Sequence, residues 1–127
     1  MRAVDTNVLV RLLVRDDPAQ TSAAEAFVAS GAWVSHLALA EATWVLDSLY
    51  ERSAAQIAHA LELLLEHRTL ALQEPEVVTE ALARFRSRPK LGFSDCLLVA
   101  IARKSGHTPL GTFDRDLAKL DGAERVG

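Results

Sequence analysis

Short apolar runs alternate with longer helical patterns along this chain, and no other feature limits its fold as strongly. Runs near Ala3–Asp5, Trp33–Ser35, Leu70–Gln73, Leu110–Phe113 and Arg125–Val126 read as strands. Between them, helical spacing of apolar residues predicts helices over 7–14, 19–29, 37–51, 54–67, 76–87, 95–104 and 115–120. The punctuation agrees: Asp16-Asp17-Pro18, Ser30-Gly31, Glu74-Pro75, Arg88-Pro89, Ser105-Gly106 and Asp121-Gly122 fall at or near the expected boundaries. Strands that alternate with helices pair in parallel and are covered on both faces, which places the chain in the α/β class. In such sheets ligands bind beyond the carboxyl ends of the strands, where Asp5 and Asp114 fall.

With 127 residues, half of them hydrophobic, a single domain over 1–127 is expected. No apolar run is long enough to cross a bilayer, and the N-terminus lacks a secretory pattern, so a cytoplasmic location without membrane attachment is expected. A lone cysteine, Cys96, excludes an internal disulfide framework. His36, His59, His67 and His107 are scattered without zinc-ligand spacing, so any metal here is hard and bound through oxygen. A net charge of -3 argues against a protein that simply coats nucleic acid. It leaves room for an enzyme that meets nucleic acid through a divalent cation.

Four acids are tied to apolar segments. Asp5 closes Ala3-Val4, Glu41 lies within Leu39-Ala40-Glu41-Ala42-Thr43-Trp44, Asp95 opens Asp95-Cys96-Leu97-Leu98-Val99, and Asp114 closes Leu110-Gly111-Thr112-Phe113. Helical geometry sets Glu41 among Leu37, Trp44 and Val45, which suggests that it lies on an apolar face. Two carboxylates roughly 4 Å apart repel by about 1 kcal/mol in water and about 4 kcal/mol at an effective dielectric of 20. Gathering four acids in one pocket therefore calls for a cation. Magnesium and manganese prefer oxygen ligands, keep several waters, and can bring a phosphodiester to an activated water.

Each acid also has a plain structural use. Asp5 can cap the helix at Asn7, Asp95 can sit in a first turn capped by Ser94, and Asp114 with Asp116 can open the short helix Arg115 to Leu120. Glu41 has no cap role and otherwise needs a partner such as Arg11 or Arg15. Cys96 reads as a small buried thiol rather than a nucleophile. The basic stretch Arg84-Phe85-Arg86-Ser87-Arg88-Pro89-Lys90 reads either as a solvated helix end or as a surface for a polyanionic backbone.

The ordered set Val4-Asp5-Thr6-Asn7-Val8-Leu9-Val10-Arg11, Ala40-Glu41, Phe93-Ser94-Asp95-Cys96-Leu97 and Thr112-Phe113-Asp114-Arg115-Asp116 resembles the PIN-domain nuclease pattern. The compact length is most similar to the VapC-type toxins of type II toxin-antitoxin systems. This resemblance implies a three-layer α/β/α fold with a mostly parallel sheet of four to five strands. It also implies a Mg2+-dependent endoribonuclease, with Mn2+ able to substitute, that hydrolyses RNA phosphodiester bonds. Asp5, Glu41, Asp95 and Asp114 fall on the family's acidic positions. Asp5 and Asp95 would be the principal metal ligands, Glu41 and Asp114 would complete the cluster, and Thr6, Asn7 and Thr112 would orient it. Asp116 is a further acid of open role.

The same resemblance implies a homodimer and a cognate antitoxin protein that can send a basic side chain into the acidic pocket. The helix with Leu61-Glu62-Leu63-Leu64-Leu65 and the end of Leu12-Leu13-Val14 offer a groove for that partner, or are ordinary core. Three other functions compete. A haloacid-dehalogenase-like phosphatase needs an acid at position 7, which is Asn here. A response-regulator receiver needs an acceptor Asp on a middle strand, which Trp33-Val34-Ser35 lacks. A binding module of the same fold, without turnover, needs only an acidic pocket.

Overall fold

Residues 1–127 are all described by a computed structural model. The order of elements follows the alternation in the sequence: β1 Arg2–Ala3, α1 Thr6–Leu13, α2 Pro18–Val28, β2 Ala32–Val34, α3 His36–Ser48, α4 Ala54–Glu66, β3 Leu70–Leu72, α5 Pro75–Ser87, α6 Phe93–Ser105, β4 Leu110–Thr112 and β5 Ala123–Arg125. The chain divides into two compact units, Met1–Pro75 and Glu76–Gly127.

In the first unit, local chemistry marks each helix start. The Asp5 side chain accepts from Val8 N, Asp17 from Gln20 N ahead of Pro18, and Ser35 from Ala38 N. Ser53 and Gln56 form a reciprocal capping box at the start of α4. Each cap satisfies a backbone donor that the helix leaves unpaired, an effect of about 1 kcal/mol. The strands run parallel in the order β1-β2-β3, with Arg2 opposite Ala32, Ala3 opposite Trp33, and Ala32, Trp33 and Val34 opposite Leu70, Ala71 and Leu72. Strands β2 and β3 alternate buried, exposed, buried, so Ala32, Val34, Leu70 and Leu72 face the core with Leu9, Val10, Leu39 and Leu61. Val4 N donates to Trp33 O at 3.1 Å, which carries the pairing of β1 one residue further and leaves Asp5 just past its carboxyl end.

In the second unit, α5 and α6 are joined by a 3-10 turn at Pro89–Leu91 and by Gly92, whose φ of 75° suits glycine. Phe85 and Phe93 meet edge to face with ring centroids 6.3 Å apart. Arg103 of α6 donates to Glu80 of α5 at 3.0 Å and to Asp121 at 2.7 Å, tying both helices to the turn before β5. Strands β4 and β5 pair in parallel, with Leu110 opposite Ala123 and Thr112 opposite Arg125.

All five expected strands are present and every pair is parallel, in a three-stranded and a two-stranded sheet, one in each unit. Most boundaries shift by one to three residues, α3 ending at Ser48 and not at residue 51 and β5 lying at Ala123–Arg125, and two further differences concern the second unit. Helix α6 starts at Phe93, not at residue 95, because Gly92 turns the backbone into the helix and no side chain caps it. The helix expected over 115–120 is only a 3-10 turn at Leu117–Lys119, because the chain is extended again at Leu120.

Candidate functional site

In the first unit, Asp5 and Glu41 are built on α1 and α3, which pack against each other. Asp5 is exposed and its Oδ1 accepts the Val8 N–H at 3.2 Å, so the capping role is real. That bond engages one oxygen of the carboxylate and leaves Oδ2 outside it. Thr6, next in the chain, donates its hydroxyl to Glu41 Oε2 at 3.1 Å. One dipeptide at the end of β1 thus carries one acid and orients a second. Asn7, expected to join this network, instead lines a groove between α1 and α2 with Val8, Arg11, Gln20 and Phe27.

Glu41 corrects the reading of α3. Its side chain is exposed, as are Leu37 (68%) and Trp44 (65%) on the same stripe, while His36, Leu39, Ala42, Thr43 and Leu46 face inward. Helix α3 is apolar on nearly all sides, so spacing placed Glu41 among apolar neighbours without telling which stripe is covered. The basic partners considered for it are engaged elsewhere: Arg11 with Asp16 at 2.8 Å and the Tyr50 hydroxyl at 2.6 Å, Arg15 with Glu25 at 2.7 Å. Its partner is the Thr6 hydroxyl.

In the second unit, Asp95 lies in the first turn of α6, half-buried, and Asp114 follows β4. Gly92, not Ser94, occupies the cap position of α6, so no neighbouring hydroxyl holds the helix start. Burial first, and the charge of Asp114 second, push the Asp95 carboxyl above its ordinary pKa. Asp114 is exposed and fixed by backbone: its N–H donates to the Thr112 hydroxyl at 3.0 Å, and its Oδ1 accepts from Asp116 N at 2.8 Å and Leu117 N at 3.1 Å. Asp116 pairs loosely with Lys119 at 3.6 Å.

The neighbouring thiol reports the same field. Cys96 is fully buried, and burial together with the Asp95 charge pushes it up to about 11, with Arg84 opposing. Burial and the raised pKa both count against a nucleophilic role for this thiol near neutral pH.

The acids therefore come as two pairs, Asp5 with Glu41 and Asp95 with Asp114, one pair in each unit. Within either unit, no three His, Cys, Asp or Glu side chains are grouped as a metal site. The donor set nonetheless fits a hard divalent cation. All four candidates offer carboxylate oxygen, and the Asp95 carboxyl, raised by burial and then by the charge of Asp114, is one whose ionised form a cation would favour. Sequence reasoning did not single out His36, which is buried at the start of α3 with Nε2 unpartnered and its backbone N–H bonded to Gln73 Oε1 at 2.9 Å. Its place directly after strand β2 was the available signal.

Parallel strands alternating with helices, with acids just past the carboxyl ends of β1 and β4, define an α/β protein. The chain belongs to the PIN domain family, whose model matches residues 2–123 and so runs through both units. PIN domains are generally metal-dependent nucleases. No curated protein and no solved structure matches the chain. No helix is long and apolar enough to cross a membrane.

Proposed function

We propose that this protein is an endoribonuclease dependent on Mg2+ or Mn2+, that it acts as the toxin of a toxin-antitoxin pair, and that Asp5, Glu41, Asp95 and Asp114 are its acidic site residues. The observation that carries the reading is the half-buried Asp95 carboxyl, raised first by burial and second by the charge of Asp114, in a chain whose family match spans both acid pairs. A divalent cation, when bound, would neutralise charge on the phosphodiester and activate water for attack. Asp95 and Asp5 would hold it, with Asp114 and Glu41 completing the oxygen set directly or through water. Thr6 keeps the Glu41 carboxylate in one orientation, and the Thr112 hydroxyl does the same for the backbone that presents Asp114.

The partner reading is supported by a groove of about 450 Å³ in the first unit, lined by Leu13, Leu46, Ala55, His59 and Leu63. Leu63 is 48% exposed there, whereas Leu61 and Leu64 are core. An amphipathic segment of an antitoxin would lay its apolar face in such a groove. Homodimerisation and a cytoplasmic location complete the proposal.

The deciding experiment is cleavage of mixed structured RNA by purified protein in Mg2+, in Mn2+ and in EDTA, beside an identically prepared Asp5→Asn variant. Metal-dependent cleavage that the variant lacks is expected. Equal traces in all lanes would replace the nuclease reading with a binding module that receives a basic partner.

A further inference from the structure

We propose that the segment Arg84–Lys90 is the substrate-guiding surface of this protein, a ridge that binds the phosphate backbone of RNA close in the chain to Asp95. The inference deepens the nuclease reading and rests on it.

The sequence isolates this stretch. Arg84, Arg86, Arg88 and Lys90 supply four of the chain's 14 basic residues, and no acid stands between Glu80 and Asp95, in a chain whose net charge is -3. The fold then carries the stretch straight into the acidic turn. Helix α5 ends at Ser87, Arg88 N still donates to Arg84 O at 2.9 Å, the 3-10 turn Pro89–Leu91 follows, and Gly92 leads into the first turn of α6, which bears Asp95. Arg84 stands close enough for its charge to act on Cys96, the neighbour of Asp95.

A solvated helix end does not explain all of the charge. Arg84 and Arg86 lie in the last turn of α5, where cations complement the exposed carbonyls. Arg88 closes the helix with its own N–H, and Lys90 lies in the 3-10 turn after it, where the benefit of the α5 end has fallen away. Both are exposed and neither takes part in an ion pair, whereas Arg11, Arg15, Arg103 and Lys104 each have an acid within 2.7 to 3.5 Å. Arg84 is 4.0 Å from Glu80, which Arg103 already holds at 3.0 Å, so its charge is only partly engaged. Leu91, the last residue of the turn, is buried, and Phe85 and Phe93 on either side of it in the chain meet edge to face.

The ligand follows from what the ridge offers. It is cationic and exposed, and its one aromatic ring, Phe85 (3% exposed), is committed to the core. With no exposed ring to stack a base, the ridge contacts phosphates and positions the strand without reading its sequence.

The test is fluorescence anisotropy of a labelled oligouridine bound by full-length protein in EDTA, at several salt concentrations, so that binding is read without turnover. Arg88→Ala with Lys90→Ala should weaken binding roughly tenfold and flatten the salt slope by roughly 1.4, about 0.7 for each phosphate no longer neutralised. Arg88→Lys with Lys90→Arg should restore both quantities, and failure to do so would overturn the proposal. The charge-matched pair Arg15→Ala with Arg68→Ala, in the other unit, should leave the slope as it is. An unchanged slope in the Arg88 and Lys90 alanine variant, with wild-type cleavage intact, would sink the ridge and spare the nuclease reading. Wild-type protein that neither binds nor cleaves RNA would sink both. Displacement of RNA by polyglutamate at equal charge would assign the surface to an acidic protein segment instead.

Discussion

The two acid pairs of this molecule are held by opposite means. In the first unit, Glu41 is tied to the chain that bears Asp5 by the Thr6 hydroxyl, and Asp5 is tied to its own helix by the Val8 N–H. In the second, Asp95 and Asp114 share no donor; Asp114 is fixed by backbone alone, and Asp95, half-buried beside it, feels its charge. A carboxylate held by a hydrogen bond is oriented and needs nothing more. A carboxylate raised by a like charge is a local conflict, which at a functional site is relieved by a proton, a cation or a basic partner. In the first pair Thr6 therefore acts as a positioning device for Glu41, and the second pair is the place where positive charge is most wanted.

The sharpest break of this comparison is catalytic. Asp95→Asn is expected to cut metal-dependent RNA cleavage by on the order of 10²-fold or more, the scale of a single electrostatic contact to a transition state, with the fold retained. Asp5→Asn should match it if the two pairs serve one reaction. A variant with full activity, assayed by gel on the same RNA, would remove that residue from the site.

Metal binding comes next. A native-only ligand at a hundred times its Kd stabilises a fold by about 2.7 kcal/mol, so saturating Mn2+ should raise the melting temperature of the wild-type chain by several degrees. Asp114→Asn should lose most of that rise, while Thr6→Val should keep it. Equal rises in both variants, read by calorimetry, would erase the distinction between the pairs.

Thr6→Val tests the positioning role by itself. Loss of one net hydrogen bond of about 1 kcal/mol should lower kcat roughly fivefold with KM almost unchanged, because Glu41 stays in place but loses its orientation. A matching rise in KM would show that Thr6 serves binding instead.

The smallest effect is a pH dependence of stability. The Asp95 carboxyl is raised in the folded state, so the folded protein favours its protonated form. Its stabilising contribution is complete below the ordinary carboxylate pKa and is lost as pH rises through the raised value. Asp95→Asn, measured without metal, should therefore raise the melting temperature near pH 7 by at most about 2 °C, since a partly exposed charge is screened, and the gain should vanish near pH 3. A variant less stable than wild type at pH 7 would mean that Asp95 makes a favourable contact that its environment does not suggest.

Much of the architecture was legible residue by residue. The strand positions at Trp33, Leu70 and Leu110 and the helices between them follow from apolar spacing and from capping residues such as Asp17 and Ser53, all of which act within a few residues along the chain. Asp5 and Asp114 were legible as acids just past strand ends, and their caps were legible too. The surroundings of Glu41 were not. Leu37, Trp44 and Val45 make its stripe look like core, yet the opposite stripe of α3 is the buried one. Ser94 looked like a cap and is not one, because Gly92 brings the chain into α6 earlier than the polar residues suggest.

Chain-local chemistry settled which segments become strand or helix and which acids stand next to them, since backbone torsion, capping and apolar period are properties of neighbours in sequence. Packing settled which face of α3 is covered, which hydroxyl reaches Glu41, and which carboxylate feels another's charge. These depend on distances between residues as far apart as Thr6 and Glu41 or Asp95 and Asp114, and on how much water remains around them. Burial and electrostatic coupling belong to the assembled fold, and a one-dimensional pattern carries neither.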